Sequence, residues 1–289
     1  MTELINIADI LALRAESQGD QIAIRCPGRK GGNGFRRYDD TISYSALHER
    51  STAIAKGLQV YGVGQGVRAA VMLKPSIEFF LVMFALLKIG AVPVLIDPGI
   101  ARSALKQCLA EAQPKAFIGI PLAQAAKLVL GWAPSVRLKV TTGPLALFGG
   151  KSLQAIERLG RASKRSLPEI QSDDAAAILF TSGSTGVPKG VLYRHRHFVA
   201  QVQLLKQAFS VEPGGVSLPT FPPFALFDPA LGLTSVIPDM DPRQPGKADP
   251  EKLLHAINSF QATQRFSSPA LMKVLADFGK PLPRRGSVF

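Results

Sequence analysis

The stretch FFLVMFALLKIGAVPVLI, Phe79 to Ile96, limits what this chain can fold into more than any other. Nearly every side chain in it is apolar, so whatever element holds it can offer no face to water. Lys88, Gly90 and Pro93 interrupt the run. Its unbroken part is too short to cross a bilayer, which takes about 20 apolar residues in one helix. The spacing predicts instead a buried helix that stops near Gly90 and leads into a buried strand. Such a pair must be covered on both sides, and that requires a large layered core.

The flanking sequence supplies the layers. RAAVMLK, after Gly66, is a short apolar strand, and Pro75 suits the first position of the helix that follows. AVPVLIDP makes a second strand ending at Asp97-Pro98. RSALKQCLAEAQP makes a second helix, with Leu105 and Leu109 on one face, and AFIGI makes a third strand. Upstream, Leu47, Ile54 and Leu58 share one face of a helix over roughly 45–60. This alternation predicts an α/β protein of layered sheets flanked by helices, rich in parallel pairing. Residues 141–172 are less regular and read as a surface segment. They divide the chain into a first α/β subdomain, 1–172, and an incomplete second, 173–289. In the second, DAAAILF and GVLYRH are strands. The next helix carries Phe198, Val202, Leu205 and Phe209 on one stripe. LPTFPPFALFDPALGLTSVIPD is too rich in proline for a regular helix and reads as a strand, a buried loop and a short helix. Ser268-Pro269 opens a last helix with Leu271, Val274, Leu275 and Phe278 on its inner side.

Composition narrows the partners. Lys plus Arg number 34 against 21 Asp plus Glu, a net charge of +13, which favours an anionic ligand or surface. Aromatic residues make up only 7%, and no tract interleaves them with basic residues, so nucleic acid is not the expected partner. Cys26 and Cys108 match no metal spacing and build no disulfide framework, which predicts a reduced, cytoplasmic protein. The first 20 residues carry Glu3, Asp9 and Glu16 and lack the basic and apolar regions of a signal peptide.

Chemistry concentrates in TSGSTGVPKG, Thr181 to Gly190. A Walker A loop needs Gly-Lys-Ser/Thr opening a helix. Here Val187 and Pro188 separate Gly186 from Lys189, and Gly190 follows the lysine. The dinucleotide pattern GxGxxG is absent as well. What remains is a loop between two strands. Gly183 and Gly186 let backbone N–H groups approach an anion, Thr181, Ser182, Ser184 and Thr185 bring hydroxyls, and Lys189 brings a charge. Spacing alone leaves two readings open, an anion cradle and an ordinary Gly/Ser turn. His195 and His197 form an HxH pair with no third ligand in view and read as a strand end and a helix start. The cluster YRHRHF either helps attract an anion or is a solvated surface. DMDPRQPGKADPE, with Asp239, Asp241 and Asp249, reads as a surface loop.

The segment TSGSTGVPKG closely resembles the phosphate-loop signature of the acyl-adenylate-forming enzymes. ISYSALHERSTAIAKGL, EFFLVMFALLKIGAVPVLIDP, FPPFALFDPALGL and SSPALMKVL follow in that family's order. YDDTISYSAL, RSALKQCL and FPPFALFDPALGLTSVIPDMDP are similar to the branch that makes β-lactones in bacterial olefin biosynthesis. The resemblance implies the N-terminal part of such an enzyme, using ATP and Mg2+ to turn a fatty-acid-type carboxylate into an acyl-adenylate. It implies that Thr181, Ser182, Gly183, Ser184, Thr185, Gly186 and Lys189 hold the β and γ phosphates of the leaving pyrophosphate. Phe221, Phe224, Phe227 and Leu231 would line an acyl tunnel; plain core packing is the other reading of each. One departure weighs against a standard acyl-CoA ligase. Where many of those have a histidine after Pro-x-Phe, this chain has Ala225, with Asp228 shortly after. The family's later signatures, for the magnesium-side glutamate, the ribose aspartate and the lid-domain lysine, do not occur before Phe289. The expectation is therefore a chain inactive alone, with no catalytic or metal-binding residue to assign. A fatty acyl-CoA ligase, or a non-catalytic remnant that binds nucleotide or docks on other enzymes of the same lipid pathway, are the alternatives.

Overall fold

The structure, a computed structural model, describes residues 4–32, 34–97, 99–143, 146, 148–181, 188–279 and 287–288. In chain order the elements begin α1 (Ile7–Gln18), β1 (Ile22–Cys26), β2 (Asp40–Ser43), α2 (Tyr44–Tyr61), β3 (Arg68–Met72), α3 (Ile77–Lys88) and β4 (Val92–Ile96). Next come α4 (Arg102–Ala112), β5 (Ala116–Gly119), α5 (Pro121–Val129), β6 (Leu138–Thr141), β7 (Lys151–Ser152) and α6 (Leu153–Ala162). Then follow β8 (Ala175–Thr181), β9 (Lys189–Arg194), α7 (His195–Ala208), β10 (Val216–Pro219), α8 (Pro222–Ala225), α9 (Phe227–Leu231) and β11 (Thr234–Val236). The last are α10 (Pro250–Ser259), β12 (Gln264–Phe266), α11 (Pro269–Asp277) and β13 (Ser287–Val288).

Two compact units interleave along the chain: residues 1–9, 48–74 and 78–199 form the first, and 10–47, 75–77 and 200–289 the second. Residues 173–199, which the sequence reading grouped with the following segment, pack in the first unit. The reason is β8, which pairs in parallel with β4 through Val94↔Ile178, Leu95↔Leu179 and Ile96↔Phe180.

The first unit holds a seven-stranded sheet in the order β7-β6-β5-β3-β4-β8-β9, parallel except for β9. The apolar run from Phe79 to Ile96 falls in α3 and β4. From Phe79 to Leu87 no residue of α3 is more than 4% exposed. Burying each such Phe, Leu, Val or Met contributes about 1.5–3 kcal/mol. The helix begins at Ile77 rather than at Pro75, and the chain leaves it through Gly90 at φ +62, as expected of a C-terminal stop.

Lys88 is the single charge in this run, and it is only 6% exposed. Its Nζ donates to the His48 carbonyl at 2.9 Å, Ser51 Oγ at 2.9 Å and Thr52 Oγ1 at 2.7 Å, which ties the end of α3 to α2. Burial pushes its pKa down to about 7, against the opposing pull of the Asp9 carboxylate. Asn6 supports the same helix end, with Nδ2 donating to the Leu87 carbonyl at 2.8 Å.

The segment read as irregular contains α6, which the sequence analysis missed. Ser152 caps it by accepting from the Ala155 N–H at 3.1 Å. Gly160 looks like a helix breaker in sequence, but here it permits a close crossing. A Cβ on it would stand 1.6 Å from the Ala53 carbonyl oxygen of α2. Helix α5 was also not foreseen.

The second unit holds a six-stranded sheet in the order β13-β12-β10-β11-β1-β2. Every pair in it is parallel except β1 with β2. Its core gathers Leu218, Val236, Leu253, Leu254, Ile257, Leu271 and Leu275. Helix α11 starts at Ser268-Pro269 as predicted, with Ser268 Oγ accepting from the Leu271 N–H. The proline-rich stretch resolves into the end of β10, the short helices α8 and α9, and β11, rather than a strand, a loop and a single helix.

Lys88 supplies a test of this core. Its pKa falls from 10.5 in the unfolded chain to about 7 in the folded one. Between those values the unfolded state holds the extra proton, so stability rises with pH. Lys88→Met keeps the volume and removes the proton. Denaturant titrations between pH 7 and pH 10 should show a flatter stability profile in the variant than in the parent.

Candidate functional site

The loop sequence that drew attention joins β8 to β9. Residues 182–187 lie outside the described residues, so Ser182, Gly183, Ser184, Thr185 and Gly186 receive no structural account. The flanks are clear. Thr181 and Lys189 face each other as a pair in the antiparallel β8–β9 ladder, and both are exposed. Because β8 runs parallel to β4, they emerge at the carboxyl edge of the parallel strands, the edge at which α/β sheets usually bind ligands.

The register behind them is set by one contact. Phe180 is 1% exposed and pairs with Gly190 across the ladder. A Cβ on Gly190 would stand 2.8 Å from the Phe180 Cζ and 3.0 Å from Cε1. The glycine after the motif lysine therefore gives the buried ring its place. On its other side Phe180 packs with Val94, Cys108 and Ala112. The Phe180 carbonyl also accepts from the Asp97 N–H at 2.9 Å, which joins the ends of β4 and β8.

The basic cluster after the loop has a different place. Arg194 pairs with Ala175 at the far end of the same ladder from Lys189. Five strand steps separate the two residues, roughly 17 Å. Arg196 forms an ion pair with the Asp173 carboxylate, and Arg194 donates to the Asp173 carbonyl. These cations brace the start of α7, and the idea that they draw an anion to the loop loses its geometric basis. His195 starts α7 as expected. It is fully buried, and burial pushes its pKa down to about 4 despite the nearby Asp174 carboxylate. His197 is exposed, and its Nδ1 accepts from the Arg194 N–H at 3.1 Å. Among the described residues no three His, Cys, Asp or Glu side chains gather as a metal site.

In the second unit the four residues proposed for an acyl tunnel separate into two kinds. Phe221 and Phe224 are half-buried, while Phe227 and Leu231 are 9% and 5% exposed. Phe224 stacks on Phe266 of β12, with centroids 4.1 Å apart and planes 9° from parallel. Phe221 and Phe227 flank it at 5.8 and 6.1 Å. Thr220 holds the row to β12 by donating its N–H and its hydroxyl to the Phe266 carbonyl, at 3.0 and 2.8 Å. This row stands at the carboxyl ends of β10 and β12. A small apolar crevice nearby is lined by Pro219, Thr220, Pro222, Ile237, Pro238 and Met240, and none of the four is in its wall.

Beneath the row sits a group that sequence reasoning noted only as a departure from pattern. Asp228 is buried between β10 and β11, where it accepts from Ser235 Oγ at 2.6 Å and from the Ser217 hydroxyl. Burial pushes its pKa up to about 7, with both serines opposing. Its backbone carbonyl accepts from the Leu233 N–H at 3.0 Å and closes the turn after α9. Asp228 thus fixes the helix that carries Phe227 and Leu231. The available signal was a lone carboxylate inside the apolar FALFDPALGL.

A layered α/β fold with a Ser/Thr/Gly/Lys loop at the carboxyl edge defines a class, and the chain belongs to it: residues 11–287 match the family of AMP-binding enzymes. Among characterised relatives, the olefin β-lactone synthetase of Xanthomonas campestris pv. campestris is 64% identical over 283 residues, covering 98% of this chain and 51% of the relative. The olefin β-lactone synthetase of Stenotrophomonas maltophilia is 63% identical over 284 residues, with the same coverage. The chain thus spans about half the length of the curated relatives it matches. In fold it is similar to a long-chain-fatty-acid-CoA ligase of Archaeoglobus fulgidus, with a TM-score of 0.79 at 22% identity over 94% of this chain and 53% of that one.

Two substitutions probe this arrangement. Gly190→Val places methyl groups against the buried Phe180 ring and should cost about 1–3 kcal/mol, read as a lower denaturant midpoint. Asp228→Asn tests the buried carboxyl. Between pH 3.8 and about 7 the folded state keeps a proton that the unfolded state gives up, so this group makes stability fall as pH rises. His48 and His195, whose pKa values burial lowers, slope the opposite way between about pH 4 and 6.5 and are common to both proteins. The difference between parent and Asn variant should therefore shift steadily in favour of Asn as pH rises through this window.

Proposed function

We propose that the chain carries the nucleotide-gripping and acyl-binding part of an ATP-dependent β-lactone synthetase. The observation that carries this reading is the 63–64% identity, over 98% of the chain, to two olefin β-lactone synthetases. In this reading a β-hydroxy fatty acid attacks the α-phosphate of ATP through its carboxylate, and pyrophosphate leaves. The β-hydroxyl of the resulting acyl-adenylate then attacks its own carbonyl, closes the four-membered ring and releases AMP.

The residues of this chain have assignable parts in the first half of that sequence. Thr181 and Lys189, with Ser182, Gly183, Ser184, Thr185 and Gly186 between them, receive the β and γ phosphates. Negative charge grows on those phosphates as the α-phosphate bond breaks, and donors fixed there lower the barrier. The paired flanks support this role, since a ladder contact between Thr181 and Lys189 sets the spacing of a hydroxyl and an ammonium group. Phe221, Phe224, Phe227 and Leu231 receive the acyl chain, and Asp228 holds in place the helix that carries Phe227 and Leu231. Mg2+ would arrive with the phosphates, and no side chain of this chain is assigned to it.

The experiment is calorimetric ATP binding to this chain, followed by product analysis with a long-chain β-hydroxy acid. Lys189→Ala removes one charge-assisted hydrogen bond and should weaken ATP about 10- to 100-fold. Unchanged affinity would refute the cradle. Where turnover is seen, mass spectrometry should find a lactone with or without coenzyme A present. A thioester in the presence of coenzyme A would assign the chain to the acyl-CoA ligases instead.

A further inference from the structure

Helix α5 of the first unit is turned inside out. The side chains that it buries are small or polar. Ala123 and Ala126 pack toward Phe117, Leu109 and Trp132, and Gln124 is 2% exposed, its Nε2 donating to the Val140 carbonyl at 3.0 Å. The large aliphatic residues face outward. Leu122 is 74% exposed, Leu128 71%, Val129 81% and Leu130, just past the helix end, 48%. An ordinary surface helix does the reverse. Exposed aliphatic side chains of this kind, three of them consecutive from Leu128 to Leu130, mark a surface that something else covers.

The charge around the helix indicates what covers it. From Ala112 to Ile156 the chain contains no Asp or Glu, but it contains Lys115, Lys127, Arg137, Lys139 and Lys151. Lys115 and Arg137 are exposed, and the Lys115 carbonyl accepts from the Arg137 N–H at 2.9 Å, so the two residues adjoin at the amino ends of β5 and β6. Lys127 and Lys139 are close enough for Lys139 to disfavour charge on Lys127, after the larger effect of burial. Lys115 and Arg137 directly precede β5 and β6, Lys127 lies in α5, and Lys139 and Lys151 lie in β6 and β7; the strands β7, β6 and β5 form one edge of the seven-stranded sheet.

A second copy of this chain fits such a surface poorly. Self-pairing would set these cations against their own copies in a chain of net charge +13. The exposed side chains are also aliphatic, without the Trp and Tyr anchors that dominate protein–protein contacts. Exposed Leu and Val in a segment whose only charges are Lys and Arg match an interfacial element, which sinks its apolar face to the level of the acyl chains while its cations meet anionic headgroups. No described helix is long and apolar enough to cross a membrane, so the contact is one that lies on the surface. We propose that the α5 edge of this chain docks on an anionic phospholipid bilayer, with Leu122, Leu128, Val129 and Leu130 as the inserting residues.

The test is flotation of the 289-residue chain with two kinds of vesicle, pure phosphatidylcholine and an equal mixture of phosphatidylcholine and phosphatidylglycerol. The chain should float with the mixed vesicles, float poorly with the pure ones, and be released as salt is raised. Leu128→Ser with Val129→Ser should reduce binding to the mixed vesicles about tenfold, since two apolar insertions are lost. Both positions are exposed, so the thermal midpoint should not move. Lys115→Gln with Arg137→Gln should weaken binding to mixed vesicles and leave the weak binding to pure ones unchanged. Absence of the chain from the floated mixed vesicles would overturn the proposal, as would equal flotation of the Ser variant. Self-association lost in the Ser variant, with vesicles ignored by the parent, would overturn it in favour of a second copy.

Discussion

The burial of α3 from Phe79 onward and of β4 as far as Leu95 is the constraint on which the first unit depends. A helix with no polar face can exist in water only when other elements surround it, so the order of the sheet follows from the need to cover it. The same burial makes the end of α3 difficult, because its last charged group enters the core with it. Lys88 resolves this by spending its donors on the His48 carbonyl and the Ser51 and Thr52 hydroxyls. A buried ammonium without these partners would cost several kcal/mol. The lysine is therefore a link between the most apolar helix and its neighbour α2, just ahead of the turn that leads into β4.

That pairing reaches directly to the candidate site. β4 fixes β8, β8 buries Phe180, and the Phe180 ring fits only because residue 190 lacks a Cβ. Thr181 and Lys189 are then opposed as the pair that ends the ladder. In the second unit a comparable logic runs through Asp228, whose serine partners on β10 and β11 fix a five-residue helix too short to be stable alone. In both units the groups closest to the proposed chemistry are held by buried polar or aromatic contacts one layer below.

Much of this was legible in the sequence because period and punctuation agreed. The β3-α3-β4-α4-β5 alternation, the Gly90 stop, the Ser268 cap and the strand–loop–strand context of the motif all follow from local rules. Three features did not. Helix α6 was obscured by Gly160, whose role is a tertiary approach to Ala53 that no local pattern encodes. Helix α5 was obscured because its apolar residues lie on the wrong side, so its pattern did not match a core-facing helix. The membership of 173–199 in the first unit depends on a strand pairing across roughly 80 residues of sequence, which periodicity cannot register. At the candidate site, the motif and its lysine were readable, but the ring-on-glycine register and the serine cradle of Asp228 require the fold.

The inverted packing of α5 also has a consequence for motion. A helix is held to its sheet by the apolar area it buries, and α5 buries two alanine methyls and a glutamine amide where α3 buries phenylalanines and leucines. Its nine residues are also short of the length at which a helix persists unaided. Local opening of such a segment costs far less free energy than unfolding the sheet beneath it. Amide hydrogens along α5 should therefore exchange with solvent long before those of α3, and whatever covers the outer face of α5 would supply the holding force that its inner face lacks.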